Sequence, residues 1–69
     1  MEVPADFAAA LAAEPTAKAM FDILTGQNRY AVLYRIDAAK RADTRARRIE
    51  QYVAMLAVGE TIYPQKRTR

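Results

Sequence analysis

The chain has 69 residues, so it can form one small domain whose apolar core is barely large enough for stability. It contains no Cys, His or Ser, which excludes disulfide cross-links, thiolate or imidazole metal sites and the commonest catalytic nucleophiles and bases. The sequence therefore predicts neither an enzyme nor a bound cofactor.

Charge is unevenly distributed along the chain. Residues 1–24 hold four acidic residues and one basic residue, Lys18, whereas residues 25–69 hold ten basic and four acidic residues, for a formal net charge of +3. This asymmetry indicates either an anionic partner for the basic half or attraction between the two halves within the fold.

The alanine-rich N-terminus carries acidic rather than basic residues and contains a proline, so it is not typical of a secretory signal. No apolar run approaches the roughly 18 residues that a membrane-spanning helix requires. We therefore expect a cytoplasmic chain without membrane insertion.

The first helix is predicted within "VPADFAAALAA". Pro4 lies near a first helical turn, and Asp6 lies where the helix dipole favours an acidic group. Phe7 and Leu11 are one turn apart and form a short apolar face.

A second short helix is predicted to begin near Pro15, which suits a first helical turn. Lys18 and Asp22 are four residues apart and can pair on its surface. The opposite face collects the apolar residues that we expect in the core, which are Ala17, Met20, Phe21 and Leu24.

Thr25 can cap a third helix that extends to about Lys40. Tyr30 and Tyr34 lie one turn apart, to the side of its apolar stripe. They either form a docking patch for a partner or a second copy of the chain, or are covered by the first helix or the C-terminal tail. The core-facing residues of this helix are Val32, Leu33, Ile36 and Ala39.

The fourth helix has the clearest periodicity in the sequence, from about Ala42 to Val58, and Gly59 is placed to end it. Its apolar stripe consists of Ala42, Ala46, Ile49, Val53 and Leu56.

The four segments together predict an all-α fold, a small compact bundle of four short helices over residues 1–59. Residues 60–69 have no period and end in basic residues. We expect them to form a flexible basic tail whose anchors are Ile62 and Tyr63.

The basic residues of the fourth helix fall into two groups. Arg47 has Asp43 four residues before it and Glu50 three residues after it, so it can be neutralised within the helix. Another group, which we call the arginine border, lines one edge of the apolar stripe and consists of Arg41, Arg45, Arg48 and Tyr52.

The arginine border has two interpretations. In the first, Arg45 and Arg48 lay their aliphatic stems over the core edge and reach acidic residues on other helices, with Asp22 and Asp37 as candidates. In the second, the border binds an anion, either nucleic-acid phosphate or an acidic segment of a partner protein. Acidic residues on the outward face of the helix weigh against phosphate recognition.

Three segments carry a resemblance to a known family: "VPADFAAALAAEPTAKAMFDIL", "AAKRADTRARRI" and "MLAVG". They resemble the C-terminal helical domain of the bacteriocin-protection, YdeI or OmpD-associated family over residues 3–59. The chain departs from the family pattern at Ala42, where a proline is usual, and at Thr25–Asn28, where a Ser-Pro-Ser-His type turn is usual.

The resemblance implies a link to bacteriocin and antimicrobial-peptide protection and to envelope stress, and it implies no established chemistry. Combined with the residues, it predicts a non-enzymatic protein-interaction module that binds a protein partner or a second copy of itself. The alternative is a weak nucleic-acid-binding domain that uses the arginine border.

Overall fold

In the computed structural model, which describes residues 2–65, the described chain forms four helices and contains no strand. The predicted all-α, four-helix fold is therefore confirmed. The sequence predicts a third helix that extends to about Lys40, but this helix ends at Asp37. The helices are α1 (Ala5–Ala12), α2 (Pro15–Asp22), α3 (Gly26–Asp37) and α4 (Ala42–Ala57).

The helix starts follow the local signals in the sequence. The Pro4 carbonyl accepts a hydrogen bond from the Ala8 N–H at 2.9 Å, and Pro15 occupies the first turn of α2. Thr25 caps α3, since its hydroxyl oxygen accepts a hydrogen bond from the Asn28 N–H at 3.3 Å.

The end of α4 is set by Gly59, whose φ of 81° lies in the left-handed region. The Gly59 N–H donates to the Leu56 carbonyl at 2.9 Å, and the Glu60 N–H donates to the Met55 carbonyl at 3.0 Å. This pair of bonds is the Schellman arrangement, which satisfies the last carbonyls of a helix and reverses the chain.

The apolar faces of the four helices meet in one core, and α4 packs against each of the other three helices. Phe7 of α1 meets Phe21 of α2 edge to face, with ring centroids 5.5 Å apart and an interplanar angle of 85°. The fully buried apolar side chains include Phe7, Leu11, Met20, Val32, Leu33, Ile36 and Leu56.

The predicted apolar stripe of α4 enters the core only in part. Ile49 and Leu56 are buried and Val53 is half-buried, but Ala42 and Ala46 are exposed, so their predicted burial is wrong. Alanine has little apolar area to bury, so the larger side chains on the arginine-border side determine which face of α4 packs against the core. The buried arc of α4 is therefore rotated toward that border.

Residues 60–65 lie against the start of α3. The Tyr63 N–H donates to Asn28 Oδ1 at 2.7 Å, and Asn28 Nδ2 donates to the Tyr63 carbonyl at 2.9 Å. Gln65 Oε1 accepts from the Thr25 N–H at 3.0 Å. The chain that leaves α4 is thus joined to the N-terminal end of α3 by polar contacts.

The predicted tail anchors are both in contact with the rest of the domain. Ile62 is half-buried and packs against the core, whereas Tyr63 is anchored through its backbone. Residues 66–69, the basic end of the predicted tail, lie outside the described residues. The division of the chain at residue 59 stays a prediction.

Candidate functional site

Arg45 of the arginine border joins three helices. Its Nε donates to Asp6 Oδ2 at 2.6 Å and its Nη2 donates to Asp6 Oδ1 at 3.1 Å, which is a two-point contact between α4 and α1. Its Nη1 contacts Asp37 Oδ1 at 3.3 Å and the Ile36 carbonyl at 3.4 Å, at the end of α3. The side chain is only 27% exposed.

The ion pair shifts the pKa of both partners in the direction that favours their charged forms. The hydrogen bond from Arg45 is the largest cause that lowers the pKa of Asp6, and the same bond is the largest cause that raises the pKa of Arg45. Asp6 and Asp37 approach the same guanidinium, but the pKa of Asp6 is lowered. A carboxyl that served as a general acid would need a raised pKa.

The other members of the border differ from Arg45. Arg48 Nη1 donates to the Arg35 carbonyl of α3 at 2.6 Å. Arg41 pairs with Asp43 at 3.2 Å, and both side chains are well exposed. Tyr52 is half-buried against the core. Two of the three arginines therefore reach across to other helices, and one pairs locally at the surface.

Two predictions about the ion pairs of the arginines are wrong. Asp22 does not meet the arginine border, because it pairs with Lys18 at 2.6 Å as the spacing within α2 predicted. Arg47 makes no ion pair within residues 2–65, neither with Asp43, which pairs with Arg41, nor with Glu50. Asp37 is confirmed as a partner of Arg45, and Asp6 is an addition.

These contacts favour the interpretation of Arg45 and Arg48 as braces between helices. Arg45 is held by two carboxylates, so an incoming anion would have to displace them. The assignment of Arg41, Arg45, Arg48 and Tyr52 as an anion-binding site stays a prediction.

Tyr30 and Tyr34 form a second candidate surface on α3. Each residue is 55% exposed, and the rings stack with centroids 5.8 Å apart and an interplanar angle of 21°. The rest of the described chain therefore leaves more than half of each side chain uncovered. Large aromatic side chains that contribute little to the core are common at protein interfaces.

A groove of about 400 Å³ lies beside this pair. Among the described residues, one residue in its wall, Tyr63, follows α4, and one residue in its wall, Arg35, is charged. We call it the tyrosine groove, and it is lined by Gln27, Tyr30, Ala31, Tyr34, Arg35 and Tyr63.

Asn28 holds the backbone of Tyr63, one of the groove residues, and the sequence analysis missed it. Its side chain is 0% exposed. It donates to Thr25 Oγ1 at 3.2 Å and to Gln65 Oε1 at 2.9 Å, in addition to its two bonds with the Tyr63 backbone. Locally, the sequence shows a polar residue three positions after a capping threonine. Such a residue is common at a helix start, so it does not indicate that Asn28 is buried.

The remaining chemistry of the described residues is limited. Within residues 2–65, acidic side chains do not gather in a group of three that could hold a metal ion. None of the helices there combines the length and the apolar character needed to cross a bilayer.

The structure is a small four-helix domain with two distinct surfaces. At the arginine border, Arg45 and Arg48 contact other helices, and the tyrosine groove lies beside α3. The family model for bacteriocin-protection, YdeI or OmpD-associated proteins matches residues 1–59 of the chain, and the chain belongs to this family. Searches of curated proteins and of solved structures found no match.

Proposed function

We propose that the chain is a non-enzymatic protein-interaction module whose partner binds at the tyrosine groove. The observation that carries this proposal is the stacked Tyr30–Tyr34 pair, with both residues more than half exposed beside an open groove. The family description, bacteriocin-protection, YdeI or OmpD-associated, supports a role in bacteriocin protection as part of the proposal. The proposal also includes a cytoplasmic location.

Tyrosine suits such a role for physical reasons. Its ring supplies a large contact area with few rotatable bonds, and its hydroxyl can form a hydrogen bond in a partly wet interface. Tyr30 and Tyr34 lie on the side of α3 away from the buried Val32 and Ile36, so a partner can cover them without disturbing the core.

Site-specific cross-linking tests the proposal. A p-benzoylphenylalanine in place of Gln27 lies in the groove wall, and the same group in place of Arg47, exposed on α4, serves as the matched control. We expect discrete cross-linked protein bands from the first position in living cells and none from the second. The Tyr30→Ala/Tyr34→Ala double variant should remove those bands.

Two results would contradict the proposal. One is the same set of bands from both cross-linker positions, which would indicate random collision. The other is the absence of any protein cross-link from the groove. A band at twice the mass of the chain would identify the partner as a second copy, which sedimentation of the purified chain can then confirm.

Nucleic-acid binding through the arginine border is the alternative hypothesis. Arg41 is its exposed cation, while Arg45 and Arg48 are already engaged. A backbone amide NMR titration with a short DNA duplex tests it at low and at physiological salt. Saturable shifts at Arg41, Arg45, Arg48 and Tyr52 that persist at the higher salt would favour it.

A further inference from the structure

Arg29, near the start of α3, is a half-buried cation without a carboxylate partner in the described chain. It makes no ion pair within residues 2–65. Its Nε atom is buried and makes no hydrogen bond with those residues. A cation that is partly removed from water without a counter-charge is unfavourable, so an anion that reached this guanidinium would be stabilised.

The other contacts of Arg29 orient its guanidinium against the end of α2. The guanidinium carbon lies 5.0 Å from the centroid of the Phe21 ring. Nη2 lies 3.4 Å from the Phe21 carbonyl and 3.5 Å from the Asp22 carbonyl. These distances are longer than those of ordinary N–H···O bonds, about 2.7–3.2 Å, and a guanidinium has five N–H donors. The side chain is therefore held in place and still has donors for a ligand.

A groove of about 250 Å³ lies beside Arg29, and α1, α2 and α3 each contribute to its wall. We call it the Arg29 groove. It shares no residue with the wall of the tyrosine groove. Its apolar wall consists of Val3, Ala8, Leu11 and Phe21, of which Leu11 and Phe21 are buried in the core.

The charged residues in the wall of the Arg29 groove leave one net positive charge. Asp22 accepts from Lys18 Nζ at both carboxylate oxygens, at 2.6 and 2.9 Å, so these two charges cancel. Arg29 is the third charged residue in the wall. One cation beside a short apolar wall complements a ligand with one negative charge and a short apolar body.

We propose that the Arg29 groove binds a small monocarboxylate with a short apolar body. The carboxylate accepts hydrogen bonds from the terminal nitrogens of Arg29, because Nε is buried, and the apolar body lies against the wall that includes Leu11 and Phe21. The groove volume of about 250 Å³ is below the roughly 300–1,000 Å³ of drug-sized sites, so it limits the ligand to a few carbon atoms. This site is separate from the tyrosine groove, and the inference goes beyond the proposed function.

A titration of the isotope-labelled full chain with 4-methylpentanoate, at neutral pH and constant ionic strength, tests the proposal by backbone amide NMR. We expect saturable shifts at Val3, Ala8, Phe21 and Arg29. The uncharged 4-methylpentanamide has the same shape and should bind about tenfold more weakly, because it loses the charge-assisted contact. Acetate keeps the charge without the apolar body and should also bind about tenfold more weakly.

A matched pair of variants on α1 tests the position of the ligand. Ala8 is an exposed residue of the groove wall, and Ala9 is an exposed neighbour outside it. Ala8→Glu adds a carboxylate that competes with the ligand for Arg29, so the affinity for 4-methylpentanoate should fall about tenfold. Ala9→Glu adds the same charge to the same helix and should change the affinity less than about twofold.

A second pair of variants on α3 tests the cation. Arg29→Gln should make the affinities for 4-methylpentanoate and 4-methylpentanamide equal, because the charge that distinguishes them is gone. Arg35→Gln removes a cation that lies outside the groove wall and should preserve the difference. If Arg29→Gln does not fold, the comparison of Ala8→Glu with Ala9→Glu decides the question.

Four results would overturn the proposal. Equal binding of the acid and the amide would remove the role of the cation, and equal binding of acetate and 4-methylpentanoate would remove the role of the apolar wall. Equal effects of Ala8→Glu and Ala9→Glu would place the ligand outside the groove. Shifts confined to Gly26, Tyr30 and Leu33 would assign binding to a separate groove beside Arg29.

Discussion

The two aromatic pairs of this domain have similar separations and opposite surroundings. The Phe7 and Phe21 ring centroids lie 5.5 Å apart at 85°, and the Tyr30 and Tyr34 ring centroids lie 5.8 Å apart at 21°. The phenylalanine pair is buried and joins α1 to α2, whereas the tyrosine pair is exposed and lies within α3.

The difference separates an aromatic pair that holds two helices together from an aromatic pair that lies on the surface of one helix. The phenylalanine pair exists only when two helices dock, so its contact energy contributes to tertiary structure. The tyrosine pair needs one helical turn and nothing else, because residues four apart on a helix are neighbours. Substitutions that affect one pair should therefore leave the other largely unaffected.

The largest effect is expected from Phe7→Ala, which removes the α1 half of the buried pair. It should lower the free energy of unfolding by about 3–5 kcal/mol, because it leaves a cavity and loses buried apolar area. Urea denaturation followed by circular dichroism measures this. Phe7→Leu, which keeps most of the volume, should cost less than about 1.5 kcal/mol. Equal costs for the two variants would contradict the cavity argument.

A smaller effect is expected from Asn28→Ala, which tests whether the buried Asn28 side chain holds Tyr63 in place. The change leaves the Tyr63 backbone without its partner, at a cost of about 1–3 kcal/mol. It should also shift the Tyr63 amide resonance and increase its hydrogen exchange. Gln51→Ala, at an exposed position of α4, is the control and should cause neither the loss of stability nor the changes at Tyr63.

Acidification should weaken the ionic contact next to the buried pair. Arg45 lowers the pKa of Asp6 in the folded state below its ordinary value of 3.8. The contribution of this contact to stability is therefore complete above that value and lost as the pH falls through the lower, folded pKa. Melting temperatures across this acid range should fall less steeply for Asp6→Asn than for the parent chain.

The contact between Phe7 and Phe21 has no titratable group, so its own contribution should not change over this range. An Asp6→Asn variant with an acid response identical to that of the parent chain would show that Arg45 does not stabilise the folded domain through Asp6. Both carboxylates that contact Arg45 are about half exposed, which weakens their ionic contacts. The contact between Asp6 and Arg45 should therefore stabilise the folded domain less than the contact between Phe7 and Phe21.

The smallest change in stability is expected from Tyr30→Ala and Tyr34→Ala. Each should alter the free energy of unfolding by no more than about 0.5 kcal/mol, because an exposed pair within one helix contributes little. Denaturation under the conditions used for Phe7→Ala measures this. A loss as large as that of Asn28→Ala would mean that the tyrosines are part of the fold rather than a binding surface.

The fold was largely predictable because its signals are local. Helical periodicity, the prolines at helix starts, the Thr25 cap and the Gly59 stop all act within a few residues, and each is present in the structure. The Lys18–Asp22 pair was predictable for the same reason, since both residues lie on one helix.

The candidate site was less predictable because it depends on contacts between distant residues. Asp6 meets Arg45, and Asn28 meets Tyr63, only after the helices have docked. The predicted burial of Ala46 is wrong, because side-chain size as well as periodicity determines which edge of the apolar stripe of α4 is buried. The rotation of a helix about its axis is therefore determined by tertiary packing.

The left-handed residue at the end of α4 has a consequence for the tyrosine groove. The family match ends at residue 59, and Gly59 is where the chain reverses toward α3. A side chain there would strain the reversal, since L-residues rarely adopt a φ of 81°. Tyr63 and Gln65 lie beyond this joint. The left-handed conformation of Gly59 thus turns the chain so that Tyr63 reaches the wall of the tyrosine groove.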